Sequence, residues 1–150
     1  MVEKDTVIER QHYKGLAWVA SMALFMQSLD ATILNTALPT IATDLQTPVF
    51  EMQMAIIAYS LAVALFIPLT AWAAAKFGTL TVFRSAVFTF VLGSVACAMA
   101  TSLETLVLAR ILQGIGGAFM MPVARLAIIQ TVPKNQLINA WNLMATAGLI

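Results

Sequence analysis

Apolar residues fill long stretches of this chain, and polar residues gather in short clusters between them. Five apolar runs can be marked, at 15–38, 52–75, 85–100, 103–124 and 137–150. A helix rises ~1.5 Å per residue, and about twenty apolar residues cross a ~30 Å hydrocarbon core. The runs therefore predict membrane-spanning helices, and the fold class is all-α, a polytopic membrane helical bundle. Pro39 falls where the first helix should stop or bend. Pro68 lies inside the second run and should kink it. Residues 76–84, with Gly78, read as a short loop, and Thr101-Ser102 as a tight turn. Pro133, between Arg125 and Lys134, marks the next connection. Residues 1–14 mix both charges and read as a polar tail, with His12 a solvated member of it. No cleavable signal peptide is evident, because the first apolar run is too long and contains Asp30. The last run reaches Ile150 with no polar cap, so residues 15–150 are expected to be a partial amino-terminal transmembrane domain of a longer protein.

Composition agrees with a bilayer as the surrounding medium. The 150 residues are 61% hydrophobic and 10% charged, with mean hydropathy +0.89. Soluble domains carry about a quarter charged residues, so this chain cannot clothe a water-exposed surface. The net charge of +1 gives no electrostatic reason to expect nucleic acid as a partner. Cys97 is the single cysteine, which excludes an intrachain disulfide and leaves it a small packing residue.

The basic residues fix an orientation. Seven of the eight, Lys4, Arg10, Lys14, Lys76, Arg84, Arg125 and Lys134, fall in the tail or in the loops after the second and fourth runs. The opposite loops carry Asp44, Glu51 and Glu104 instead. Positive residues stay in the cytoplasm, so the amino terminus is predicted to be cytoplasmic and the chain multi-pass in the plasma (inner) membrane.

The eighth basic residue, Arg110, lies inside a run, as does Asp30. Asp30 precedes Leu38 by eight residues, or ~12 Å of helix, and Arg110 follows Leu103 by seven, or ~10.5 Å. The two helices run in opposite directions, so both charges sit at a similar depth below the outer surface. On neighbouring helices they would pair or share water, and an Asp that gains or loses such a partner can bind or release a proton. The plainer reading is a structural ion pair that sets helix register. Arg110, Gln113, Gly114 and Gly117 share one helix face, and Gln27 shares that of Asp30. Gly114, Gly116 and Gly117 read equally as small-residue helix packing. Asn35 points elsewhere and is expected to bond a neighbouring helix. The methionines suit an adaptable apolar pocket or, more simply, core and lipid contact. No phosphate loop, zinc-type histidine pair or nucleophile elbow occurs, so no enzyme is expected.

Leu29-Asp30-x-Thr32-Ile33-x-Asn35-x-Ala37-Leu38-Pro39 resembles the first-helix signature of the fourteen-span drug:proton antiporters of the major facilitator superfamily. Arg110-x-x-Gln113-Gly114-x-Gly116-Gly117 resembles the fourth-helix motif of that superfamily, and Gly148 the first glycine of its antiporter motif. The resemblance covers the chain beyond the tail. It implies export of small lipophilic, often cationic compounds, driven by a proton gradient and needing no cofactor. The implied partners are the bilayer, substrate, protons and a carboxy-terminal half. Asp30 would be an acid of the cavity, and Arg110 and Gln113 would serve proton coupling. Asn35, Pro39, Lys76, Gly78, Gly114 and Gly117 would serve helix packing or gating.

The loop after the second helix departs from the family pattern Gly-x-x-x-Asp-Arg/Lys-x-Gly-Arg/Lys-Arg/Lys. Ala71, Ala75, Thr79 and Leu80 replace the glycine, the acid and the later basic pair, while Lys76 and Gly78 remain. The missing acid implies a weaker or different latch between the halves. Two rival readings stand beside export of drugs: a metabolite or organic-acid exporter using Arg110 as an anion anchor, and a truncated membrane polypeptide that transports nothing.

Overall fold

A computed structural model of the chain describes residues 2–131 together with 137, 138, 142 and 145. Its elements are α1 (Val2–Asp44), α2 (Val49–Phe66), α3 (Leu69–Phe77), α4 (Thr79–Ala98) and α5 (Leu103–Thr131). The span expected at 137–150 lies outside the described residues except for the four just named, which are helical.

The first helix is longer at both ends than the hydrophobic pattern suggests. Residues 2–14 are helical and continuous with the rest of α1. The sequence offers no proline or glycine between Val2 and Lys14 to stop it. Pro39 does not end the helix either, which runs on to Asp44. A proline removes a single N–H from the ladder, and the Thr43 hydroxyl donates to the Pro39 carbonyl at 3.0 Å in the turn that follows. The true stop is at Gln46, which adopts a left-handed φ of 50°.

The second run is divided as Pro68 predicts. Helical dihedrals persist through Ile67 and Pro68, so the chain bends there and does not turn back. The Ile67 carbonyl accepts from the Thr70 N–H at 3.1 Å and from the Thr70 hydroxyl at 2.7 Å. The loop expected over 76–84 shrinks to Gly78, whose φ of 84° separates α3 from α4. Thr79, Thr81, Arg84 and Ser85 imitate a loop in composition, yet α4 carries them as its first turns. Likewise α5 continues beyond Ala124 to Thr131, with Arg125 exposed. A helix need not end where its apolar run does.

The predicted outer turn is present. Ser102 Oγ accepts from the Thr105 N–H at 3.3 Å, and Thr105 Oγ1 accepts from the Ser102 N–H at 3.1 Å. This reciprocal capping starts α5.

Among the described residues, Val49–Phe66, Thr79–Ala98 and Leu103–Gln130 are long and apolar enough to cross a membrane. The bundle is built around α5, which packs most extensively on α4 and α2 and also touches α1 and α3. Two apolar clusters form. One joins Ala20, Ala23 and Leu24 of α1 to Phe83, Ala86 and Phe90 of α4 and to Met120, Val123 and Ile128 of α5. The other joins Leu34, Leu38 and Ala42 of α1 to Met52 and Ala55 of α2 and Leu106 of α5. The outer faces are also apolar: Ile57, Leu61, Leu65, Phe88, Leu92 and Leu108 are all exposed. A surface of this kind suits hydrocarbon and not water.

Candidate functional site

Between the two apolar clusters α1 and α5 each expose polar side chains to the other. Asp30 comes from α1, and Arg110 and Gln113 from successive turns of α5. Arg110 Nη1 donates to Asp30 Oδ2 at 2.7 Å and to Gln113 Oε1 at 2.9 Å. Gln113 Nε2 donates to Asp30 Oδ1 at 2.8 Å. The three side chains form a closed ring of hydrogen bonds. Gln113 has no exposed surface, and the ion pair is 5% exposed on the Arg110 side and 17% on the Asp30 side. The structure thus brings together the acid, base and amide that equal depth and shared helix faces predicted.

The ring has a simple chemical property. An ionised carboxylate only accepts hydrogen bonds, and a guanidinium only donates them and keeps its charge at any ordinary pH. Adding a proton to Asp30 turns one acceptor into a donor. The carboxyl then loses its charge and part of its acceptor capacity, which weakens its hold on Arg110 and Gln113. Apolar residues on both sides keep the charges strong for each other, because little solvent screens them.

A second polar group lies one turn away. Gln27 Nε2 donates to Tyr59 Oη at 3.1 Å and to the Gly117 carbonyl at 3.5 Å. The Arg110 Cζ lies 5.9 Å from the centre of the Tyr59 ring, which links the two groups. From α4, Cys97 Sγ approaches Gln113 Oε1 at 3.6 Å. Sequence reasoning passed over Tyr59 because it carries no charge. A signal was present: tyrosines in spans concentrate at the membrane interfaces, and this one stands near the middle of an apolar helix.

The glycines of α5 set how closely each neighbour approaches. A β-carbon on Gly114 would lie 2.7 Å from the Tyr59 carbonyl oxygen and 2.8 Å from the Ala62 β-carbon, both on α2. One on Gly116 would lie 2.5 Å from the Phe90 nitrogen and 2.7 Å from the Ala86 oxygen, on α4. One on Gly117 would lie 2.8 Å from Tyr59 Oη and 3.2 Å from Gln27 Nε2. Small residues thus admit α2 and α4 on two flanks of one helix.

Other predicted positions stand apart from this layer. Asn35 is exposed and makes no hydrogen bond among the described residues, so the expected link to a neighbouring helix is absent. Its neighbours Thr32 and Thr36 turn their hydroxyls back onto α1 carbonyls, at 3.1 Å each. Pro39 is exposed within α1. Lys76 and Gly78 occupy the corner between α3 and α4. The Lys76 ammonium lies 4.8 Å from the Trp72 ring centre and 5.4 Å from that of Phe77. Aromatic faces attract the cation here, at the place where the resembled family carries an acid next in sequence.

The chain matches the Major Facilitator Superfamily over residues 20–150. It belongs to that superfamily. A relative from Haemophilus influenzae, named as a probable transport protein, HsrA, is 84% identical over 142 residues, which are 95% of this chain and 31% of the relative. A relative from Salmonella typhi, provisionally named multidrug resistance protein MdtD, is 44% identical over 133 residues, 89% of this chain and 28% of the relative. The chain therefore spans about three-tenths of the length of these curated relatives. No solved structure matches it. With its apolar spans, this superfamily member is a multi-pass membrane protein.

Proposed function

We propose that the chain is the amino-terminal part of a proton-coupled exporter of drugs or other lipophilic, often cationic compounds. The observation that carries this reading is the ring of Asp30, Arg110 and Gln113, with the ion pair at 2.7 Å between two apolar clusters. A proton on Asp30 opens the ring, and a proton leaving closes it. Because the ring joins α1 to α5, each change alters how these helices hold one another. In alternating access one half of a transporter rocks against the other, and a proton-dependent clasp inside one half can bias that motion. The name of the MdtD relative supports drugs as the cargo. The basic residues support a plasma (inner) membrane setting with the amino terminus in the cytoplasm. No cofactor enters this scheme; the proton gradient is the driving force.

An organic-acid exporter would need Arg110 free to bind an anion, whereas Asp30 occupies it. That favours the cation reading. The truncated, non-transporting reading is removed or upheld by assay of the intact transporter that carries this chain. In such a transporter, Asp30→Asn keeps a hydrogen-bonding group in place but cannot cycle a proton. Proton-driven efflux of ethidium from cells is expected to fall to the level of cells without the transporter. Undiminished efflux by Asp30→Asn would overturn the coupling scheme, and anion efflux that persists in Asp30→Asn would favour the organic-acid reading, in which Arg110 alone anchors the substrate.

A further inference from the structure

We propose that Tyr59 is a positioning residue for Arg110: its ring is the second resting place of the guanidinium, used while Asp30 holds a proton. The inference rests on the export reading above and brings α2 into it.

Arg110 has two kinds of partner. Nη1 serves Asp30 and Gln113. The guanidinium carbon lies 5.9 Å from the centre of the Tyr59 ring, just inside the ~6 Å reach of a cation–π contact. Arg110 Nε, on the same side chain, is buried with no hydrogen-bond partner. The guanidinium is therefore tethered at one corner only and is free to settle on the ring.

The ring itself is held. Gln27 fixes its hydroxyl at 3.1 Å and is in turn bonded to the Gly117 carbonyl at 3.5 Å. Gly114 lets the Tyr59 backbone sit against α5, since a β-carbon there would come within 2.7 Å of the Tyr59 carbonyl. The aromatic face keeps its place whatever the state of Asp30.

Protonation of Asp30 removes the counter-charge of Arg110. A buried charge left alone is the expensive state in such a pair. Gln113 Oε1 and the Tyr59 face remain as partners, and the face attracts a cation without itself needing to titrate. Among the described residues, the ionisable groups that face this layer are Asp30 of α1, Tyr59 of α2, Cys97 of α4 and Arg110 of α5. Among the described residues, none but Asp30 supplies a carboxylate to the ring. By giving the unpaired guanidinium a place to rest, the aromatic face favours the open ring.

The test uses the intact transporter carrying this chain, in proteoliposomes, with ethidium as probe and the proton-driven rate measured across external pH. Tyr59→Leu removes the face and keeps apolar bulk; Tyr59→Met does the same with a more adaptable side chain. Tyr59→Phe keeps the face and removes only the bond to Gln27. Tyr59→Leu and Tyr59→Met are expected to move the half-maximal rate toward acid by ~0.5–1 pH unit, the equivalent of one cation–π contact. Tyr59→Phe is expected to move it less than half as far. A rate lowered equally at every pH, with no change of midpoint, would make Tyr59 a packing residue and overturn the inference. So would a shift in Tyr59→Phe as large as in Tyr59→Leu, which would assign the effect to Gln27. If the unaltered transporter shows no proton-dependent ethidium movement, the export reading fails first and this inference with it.

Discussion

Gly93 of α4 and Gln113 of α5 touch with no room between them: a β-carbon at position 93 would lie 2.7 Å from the nitrogen, Cα and Cβ of Gln113. Gln113 is also the residue that holds Asp30 Oδ1. Gly93→Ala is therefore expected to push α4 from α5 and to displace the amide from the ring. Overpacking of this kind costs about 1–3 kcal/mol. Thermal unfolding in detergent should show the loss of stability, and efflux should fall with it. A Gly93→Ala transporter as stable and active as its parent would contradict the packing described.

Gly114 and Gly117 share the same face of α5 yet should differ in tolerance. At Gly114 the obstacles are the Tyr59 carbonyl and the Ala62 β-carbon, and neither can move without shifting α2. At Gly117 they are the far ends of the Tyr59 and Gln27 side chains, which can rotate aside. Gly114→Ala is expected to lower folded yield more than Gly117→Ala. Gly117→Ala should fold and instead impair efflux, because it parts the hydroxyl from Gln27. Comparison of monodisperse yield with efflux per folded molecule separates the two effects.

The ion pair was readable in the sequence for a physical reason. A charge in hydrocarbon must find a partner, and only Asp30 and Arg110 were available within the apolar runs at a matching depth. Gln113, Gly114 and Gly117 followed from helical period alone. The chain ends of helices were not readable. The hydrophobic pattern marks where lipid begins and ends, while backbone hydrogen bonding carries α1 past Pro39 and α4 back to Thr79. Tyr59 escaped because an aromatic residue in an apolar run resembles its neighbours until the guanidinium above it is seen. Asn35 differs: polarity suggested a partner helix, and among the described residues its side chain is exposed.

Removing one charge of the ring should harm stability more than removing both. Asp30→Ala leaves Arg110, buried and positive, without its counter-ion. Breaking one side of a buried pair costs about 3–5 kcal/mol. The double variant Asp30→Asn with Arg110→Gln retains hydrogen-bonding groups and no charge, so it should regain most of the lost thermal stability. It should not regain proton-driven efflux. Recovery of transport along with stability would show that the pair only holds the helices in register.

The corner at Gly78 offers a test free of packing effects. Its φ of 84° and ψ of 142° suit glycine, and a β-carbon there would meet nothing within 4 Å. Gly78→Ala should therefore cost only backbone strain, about 1–3 kcal/mol. Calorimetry or thermal unfolding would read this directly. A neutral result would mean that the corner can adopt another conformation at no expense.

The interruption at Pro68 gives the second span an ankle. Proline supplies no amide hydrogen, so the rung it would have made to Ala64 is missing in advance, and Thr70 satisfies the adjacent carbonyl of Ile67 from its own side chain. The joint between α2 and α3 thus lacks one main-chain rung, while the Thr70 N–H still donates to the Ile67 carbonyl at 3.1 Å. A helix short of one rung bends there at least cost, so Trp72, Lys76 and the Gly78 corner lie on the far side of the second span's weakest joint, and Tyr59 on the near side.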